Sequence, residues 1–182
     1  MVEMLVDLTD AELVRRCQGN DDSAVHELYR RYREKVYRIA SRVVLNHDDA
    51  LDVTQDVFVR VLKGISAFRF QSSFSTWITR VTVNVAIDSL RKRRRMKSVA
   101  FEATEPEETD TAVFKRDQVE KVRAAFELLD PEQRSCMVLR EIEGASYAEI
   151  AQALSCSIGT VRSRIHRARG HLKRILKDLV VE

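Results

Sequence analysis

The stretch SYAEIAQALSCSIGTVRSRIHRARGHLKRILK, residues 146–177, reads as a short helix, a tight turn and a longer, basic second helix. Ile158, Val161, Ile165, Leu172, Ile175 and Leu179 recur at helical spacing and define a face to be buried. At about 100° per residue the opposite face centres on Ser163 and carries Gly159, Arg162, His166, Arg167, Gly170 and Arg174. Between Ile158 and Lys177 lie seven bases (Arg162, Arg164, Arg167, Arg169, Lys173, Arg174 and Lys177) and no acid. A merely solvated helix more often mixes its signs. An apolar back with a front of Arg, Ser and His suits a DNA major groove, where Arg pairs bidentately with guanine and small residues allow close approach.

Working outward, Ser146 is expected to cap a helix from Tyr147 to Leu154, with Glu149 completing a capping box. Ser155-Cys156-Ser157 then forms the turn into the basic helix. Asp130-Pro131-Glu132-Gln133 is another helix start, with Asp130 at the N-cap, Pro131 at the first helical position and Gln133 at the third. That helix runs through Met137, Val138, Leu139 and Ile142 to Gly144. Phe114 to Leu129 forms a helix before it, with Val119, Val122, Phe126 and Leu129 inward. In a four-helix module of this size the Ser155–Ser157 turn is the bend of a helix-turn-helix.

Upstream the composition shifts. Residues 96–113 hold one base and five acids, against 17 bases and 13 acids in residues 1–95 and 13 bases and 10 acids in residues 114–182. The net charge of +3 therefore hides two basic blocks on either side of an acidic segment. Residues 96–113 read as a flexible acidic linker. Five Gly, two Pro and 45% hydrophobic residues favour a packed, helical chain over a disordered one. The expected fold is all-α: two small helical domains, 1–95 and 114–182, joined by that linker.

In the first block, Thr9 or Asp10 caps a helix that stops near Gly19-Asn20. Asp22 or Ser23 caps a second, reaching about Leu45, with Val25, Leu28, Tyr29, Tyr32, Val36, Ile39 and Val43 as its apolar stripe. Asp48 or Asp49 opens a third, from Ala50 to about Lys63 and ending at Gly64. Leu51, Val53, Val57, Phe58 and Val61 form its buried side. Asp52, Gln55 and Asp56 lie opposite with Val59, and an apolar residue among charges on an outer face points to a protein-contact surface. Plain solvation is the other reading of that face.

Next comes a loop of three Phe, Phe68-Arg69-Phe70-Gln71-Ser72-Ser73-Phe74. Ser75 or Thr76 caps a fourth helix beginning near Trp77, on which Trp77, Arg80, Asn84, Asp88 and Arg91 share a stripe. Arg91 to Arg95 is a run of five bases. Rings to stack on, cations for phosphate and an amide for a base edge are what unstacked, single-stranded nucleotides require. The alternative is that Phe68, Phe74 and Trp77 belong to the core.

Several classes are excluded. Cys17, Cys136 and Cys156 are too few and scattered for a disulfide framework and are expected to be reduced, as in a cytoplasm. No apolar run approaches the roughly 20 residues of a bilayer span, and the acidic N-terminus does not read as a signal peptide. His26, His47, His166 and His171 form no metal-binding spacing, and no phosphate-binding or nucleophile-elbow motif occurs. Neither catalysis nor a cofactor is expected.

The whole chain resembles the extracytoplasmic-function branch of the sigma-70 family. Asp52-Val53-Thr54-Gln55-Asp56-Val57-Phe58 is similar to the DxxQ(E/D)xF signature of that family's domain two. Phe68-Arg69, Ser73-Phe74-Ser75-Thr76-Trp77-Ile78, Arg80 and Val83-Asn84 are similar to its FR…SFxTWL…R…VN pattern. Leu139-Arg140-Glu141, Gly144 to Ala151 and Cys156 to Arg164 are similar to its domain four. The resemblance implies a factor that binds core RNA polymerase through the β′ clamp helices and β flap and helps open promoter DNA, with no small-molecule substrate. It implies polymerase contacts at Asp52, Gln55, Asp56 and Val59. It implies minus-ten contacts at Phe68, Arg69, Phe70, Gln71, Ser72, Trp77, Arg80, Asn84, Asp88 and Arg91, with the Phe68 and Asn84 positions holding an extruded base. It implies minus-thirty-five contacts at Gly159, Thr160, Arg162, Ser163, His166 and Arg167, and an anti-sigma factor as a further partner. Phe70-Gln71 stands where relatives often carry Gly-Asp. The rival reading is a free-standing helix-turn-helix regulator, which accounts for residues 114–182 but gives the 52–56 face and the Phe68–Asn84 stretch no task.

Overall fold

The computed structural model describes residues 7–100 and 114–177, with the side chains of 7–96 and 120–177. It is all-α: among the described residues there are eight helices. The chain divides into two compact units, Met1–Ala86 with Gln152–Ser155, and Ile87–Ala151 with Cys156–Glu182.

In the first unit, α1 (Asp10–Gln18) is capped by Thr9. The Thr9 hydroxyl accepts from the Glu12 N–H at 3.3 Å, and the Glu12 carboxylate accepts from the Thr9 N–H at 2.8 Å. The next three helices begin earlier than the sequence suggests. Asp21, not Asp22 or Ser23, caps α2 (Asp22–Val44). Asn46, not Asp48 or Asp49, caps α3 (His47–Gly64). The Ser73 hydroxyl, not Ser75 or Thr76, accepts the Thr76 N–H at 3.0 Å in the first turn of α4 (Phe74–Ala100). Each start lies in a run of residues able to cap, and a start further upstream adds intrahelical hydrogen bonds that a later one forgoes.

The core of this unit is built from Leu13, Val14, Leu28, Val36, Ile39, Val43, Val53, Val57, Val61, Ile78 and Val83, all buried. Each fully buried Leu, Ile or Val contributes about 1.5–3 kcal/mol of transfer free energy. Two residues expected inside are not. Tyr29 is 47% exposed at the margin of its stripe, where its ring meets Phe58 edge-on, centroids 4.7 Å apart. Leu51 is 43% exposed: it lies with Gln55 and Val59 on the outer stripe of α3.

In the second unit, α5 (Phe114–Glu127) docks by its last turn. Ala125 and Leu129 are buried, whereas residues 120–124 are exposed, so Val122 lies beyond the contact and does not face inward. The side chain of Val119 lies outside those described. Asp130 precedes α6 (Pro131–Met137), but its carboxylate takes the Gln133 side-chain amide at 3.3 Å and makes no cap bond to the backbone. From Val138 to Ile142 the helix widens into a π-turn that periodicity did not reveal. It ends before Gly144, whose φ of +67° is a left-handed conformation that disfavours other residues. The Ser146 N–H donates to Glu149 at 2.8 Å and the Ser146 hydroxyl accepts from the Glu149 N–H at 3.2 Å, the expected capping box of α7 (Tyr147–Ala153).

The basic helix is α8 (Ile158–Ile175), which packs on α6. Val161, Ile165, Ala168 and Leu172 are buried. Ile158 and Ile175 are 44% and 36% exposed, because both ends of α8 overhang the helices beneath. Leu179 lies outside the described residues, as do 101–113 of the expected linker; its residues 96–100 continue α4. Among the described residues no helix is long and apolar enough to cross a membrane.

Candidate nucleic-acid interface

The basic face is set by what α8 buries. Ser157 caps the helix, its hydroxyl accepting the Thr160 N–H at 3.0 Å. With Val161 and Ile165 inward, Gly159, Arg162, His166, Arg167 and Arg174 are exposed on the other side, as the sequence reading required. Thr160 and Ser163 are half-buried, and the Ser163 hydroxyl donates to the Thr160 carbonyl at 3.0 Å. The bases are not equivalent. Arg169 donates to the Glu141 carboxylate at 2.7 Å, and this bond pushes its pKa further up. Arg164 turns back to Cys156, 3.8 Å from its sulfur. Arg162 and Arg167 are exposed on the face that a groove edge can approach.

In the first unit the aromatic loop is a packed cluster with one outward member. Phe68 and Phe74 are buried, and Trp77 is half-buried against both, with centroids 5.1 Å and 5.6 Å away. Gly64 makes room for that indole: a Cβ there would lie 3.3 Å from the Trp77 ring. Phe70 is 39% exposed, has a φ of +55° and stacks under Arg15 at 5.3 Å. Phe68, Phe70, Ser72, Ser73 and Phe74 line a recess of about 420 Å³ that Thr9, Asp10 and Ala11 close from α1. Arg69 and Gln71 are exposed on the same loop and Ser72 is half-buried. On α4, Arg80, Asn84, Asp88 and Arg91 are exposed; Asp88 and Arg91 fall in the second unit, where Arg91 donates to Glu132. The structure thus brings Phe70 and Ser73 to this recess, whereas Arg69, Gln71, Trp77 and Arg80 line a second one, with Phe68 and Ser72 bordering both. Arg15 was missed, because nothing in the sequence brings α1 to a loop more than fifty residues away.

The outer side of α3 is broader than its sequence suggested. Asp52, Gln55, Asp56 and Val59 are all exposed, and Leu51 and Leu62 join them at 43% and 49%. Leu51, Gln55, Val59 and Leu62 fall within one stripe, flanked by Asp52 and Asp56. The spacing of Leu62 was the available signal, but a Leu at a helical spacing is more often core.

The first unit thus carries an aromatic recess and an exposed apolar-acidic stripe, and α8 presents a basic face after the turn that follows α7, a combination that suits a transcription factor with separate protein- and DNA-contacting surfaces. Comparison with known proteins is specific. Sigma-70 region 2 matches residues 28–96, and Sigma-70, region 4 matches residues 120–172. The chain is 36% identical to the ECF RNA polymerase sigma-E factor of Escherichia coli, over 95% of this chain and 97% of that one. It is 34% identical to the RNA polymerase sigma-H factor of Pseudomonas aeruginosa, over 98% of this chain and 100% of that one. Among solved structures it is similar to CnrH in complex with the cytosolic domain of CnrY, with a TM-score of 0.70 and 25% identity over 93% of this chain and 97% of that one. The chain belongs to the ECF RNA polymerase sigma factors. It acts with RNA polymerase to direct promoter-specific transcription initiation, and the free-standing regulator is not favoured. The family is not an enzyme class.

Proposed function

We propose a division of labour among three surfaces. The stripe of Asp52, Gln55, Asp56 and Val59, widened by Leu51 and Leu62, binds the β′ clamp helices of core polymerase. The loop from Phe68 to Ser72, with Trp77, Arg80, Asn84, Asp88 and Arg91 on α4, holds the melted minus-ten element. Gly159, Thr160, Arg162, Ser163, His166 and Arg167 read the minus-thirty-five element, in a module that also meets the β flap. In domain terms, residues 1–95 grip polymerase and the melted strand, 96–113 connect, and 114–182 anchor the upstream end.

The observation that carries this reading is the concave surface under Phe70, with Arg15 stacked on that ring and Asp10 and Ser72 at its rim. An extruded base loses a few kcal/mol of stacking, and a recess with an aromatic wall and polar edges returns part of it selectively. Phe68 and Phe74 line the same recess and, being buried, fix its aromatic wall. The Arg91–Arg95 run and the bases of α8 add salt-dependent phosphate affinity.

An anti-sigma factor competes for the same apolar stripe in a cytoplasmic setting. The likeness to CnrH, solved together with the cytosolic domain of CnrY, supports a polypeptide partner of this kind. Run-off transcription with purified core polymerase and promoter fragments tests the assignment. The chain should direct a specific transcript, and Gln55→Ala with Asp56→Ala should lose it while duplex binding by residues 114–182 persists. Unchanged core affinity in that double variant refutes the α3 interface.

A further inference from the structure

The loop that carries the aromatic recess is held from α1. Ala11, Arg15 and Gln18 follow one another at spacings of four and three, so they share a stripe of α1, while Leu13, Val14 and Cys17 form its buried side. Each member of that stripe meets the loop or its approach. Ala11 lines the recess with Thr9 and Asp10. The Arg15 guanidinium lies over the Phe70 ring, 5.3 Å from its centre. The Gln18 amide donates to the Phe68 carbonyl at 3.0 Å. The start of α1 is itself anchored, because Asp10 accepts from Arg31 at 3.1 Å and from the Tyr32 hydroxyl, both on α2.

Phe70 needs such support. Its φ of +55° lies in the left-handed region, which favours glycine and costs a residue that carries a Cβ. A bulky residue persists there only where its surroundings over-determine it, and such positions gather at ligand sites. Two groups hold the Phe70 ring. Phe68 meets it edge to face, centroids 5.0 Å apart, and Arg15 covers it from α1. Arg15 is exposed and is not among the residues that line the recess. Its effect on the recess therefore passes through the Phe70 ring. We propose that Arg15 is a positioning residue of the minus-ten reader: it holds Phe70 in the conformation that makes the ring a wall of the recess, and so governs how sharply the recess discriminates among extruded bases. This assignment rests on the reading of the recess as the minus-ten site. It extends that site to α1, which ends at Gln18, upstream of the residues 28–96 matched by sigma-70 region 2.

Discrimination depends on a fixed wall. Stacking on a ring is tolerant of sequence, because every base has a π-face. Selection comes from the fit of the base edge, which requires ring and polar groups to keep their places relative to one another. With Arg15 over it, the Phe70 ring is set against Thr9, Asp10 and Ser72 of the same recess. Without Arg15 the residue relaxes towards the ordinary regions of backbone space, the ring leaves its place and the recess becomes less selective. Lysine keeps a cation over the ring, although it lacks the planar face of Arg. A cation that merely attracted a phosphate would act alike on every base and would not need Phe70.

The test has two arms. In the free chain, the NMR chemical shifts of Phe70 Cα and Cβ report its backbone conformation without DNA. They should leave the left-handed range in Arg15→Ala and stay there in Arg15→Lys. Unchanged shifts in Arg15→Ala overturn the positioning role, whatever the recess binds. In the second arm the full chain is bound to core polymerase, and the probe is a promoter fragment that it transcribes, premelted over the minus-ten element, with the non-template bases replaced one at a time. Arg15→Ala should weaken binding of the preferred fragment roughly two- to fivefold, the worth of one exposed cation–π contact. The loss should be confined to the preferred base at one position, so that discrimination there falls by the same factor, and Arg15→Lys should recover most of it. Phe70→Gly adopts the left-handed conformation freely but has no ring, so it should lose at least as much discrimination, and adding Arg15→Ala to it should cost nothing further. An equal loss for all fragments, or an undiminished loss in the Phe70→Gly background, overturns the proposal in favour of a phosphate contact. Arg15→Ala without effect where Phe70→Gly has one sinks the positioning role alone. Base preference left intact by Phe70→Gly itself removes the minus-ten reading of the recess, and the role of Arg15 with it.

Discussion

The Gln18 side-chain amide donates to the Phe68 carbonyl at 3.0 Å and to the Ile65 carbonyl at 2.9 Å. The last residue of α1 therefore fixes the turn that leads into the aromatic loop. We predict that Gln18→Ala lowers the unfolding free energy by about 1–3 kcal/mol, since two partly buried carbonyls lose their donor. Gln18→Glu should lose more, because it sets a carboxylate against those carbonyls. Urea denaturation measures both. If the loop is preorganised in this way, Gln18→Ala also slows promoter opening while leaving minus-thirty-five binding intact.

A second prediction concerns acid. Glu27 is buried on α2 and accepts from Arg30 Nε at 2.8 Å and Arg31 Nε at 2.9 Å. Hydrogen bonding from Arg30, aided by Arg31 and opposed by burial, holds its carboxyl down to about 2 from an ordinary 4.5. A depressed value means that the carboxylate contributes fully above its unfolded pKa. That contribution is lost as the pH falls from about 4.5 towards 2. Glu27→Gln should be less stable at neutral pH by about 1.5–3 kcal/mol, the worth of a charged hydrogen bond. Its stability should also fall less steeply across that acid window, as denaturation at stepped pH will show. Parallel pH slopes for the two proteins would disprove the role.

The chain shows what periodicity can and cannot determine. Val53, Val57 and Val61 on α3, and Val161, Ile165 and Leu172 on α8, are buried where a 3.6-residue period places them. Because the period fixes the back of α8, it also fixes Arg162, His166 and Arg167 on the front. Where a helix outruns its neighbours the period no longer decides, and Val122, Ile158 and Ile175 are exposed for that reason. Phe68 posed a different problem. Its position in the loop motif was legible, but its burial depends on Phe74 and Trp77 closing over it from α4. Local pattern likewise gave no sign of the Arg15–Phe70 stack, the Gln18 anchor or the π-turn, which arise from tertiary contact.

A third prediction separates binding from folding on α3. Val59 and Leu62 are 47% and 49% exposed, so replacing them removes little core. Val59→Ala with Leu62→Ala should change unfolding free energy by less than about 0.5 kcal/mol, as for surface sites. The same pair should weaken core polymerase binding by 1 kcal/mol or more, at least roughly fivefold, if these side chains are central to the contact. Equilibrium binding by anisotropy, alongside thermal unfolding, makes the distinction. A loss of stability matching the loss of binding would mean that the stripe is structural.

The last prediction distinguishes two arginines of α8. Arg167 is exposed on the face opposite Val161 and Ile165, whereas Arg169 donates to the Glu141 carboxylate at 2.7 Å and ties α8 to the π-turn. Arg167→Ala should cost about 1–3 kcal/mol of affinity for the preferred minus-thirty-five duplex and relax discrimination at one base pair, the signature of base readout. Arg169→Ala should leave the sequence preference intact and lower stability by at most about 1 kcal/mol, as expected for a solvent-exposed pair. Competition binding against a panel of single-base variants supplies the readout. A uniform loss across the panel for Arg167→Ala would make that side chain a phosphate contact, and its salt slope would then fall by about one.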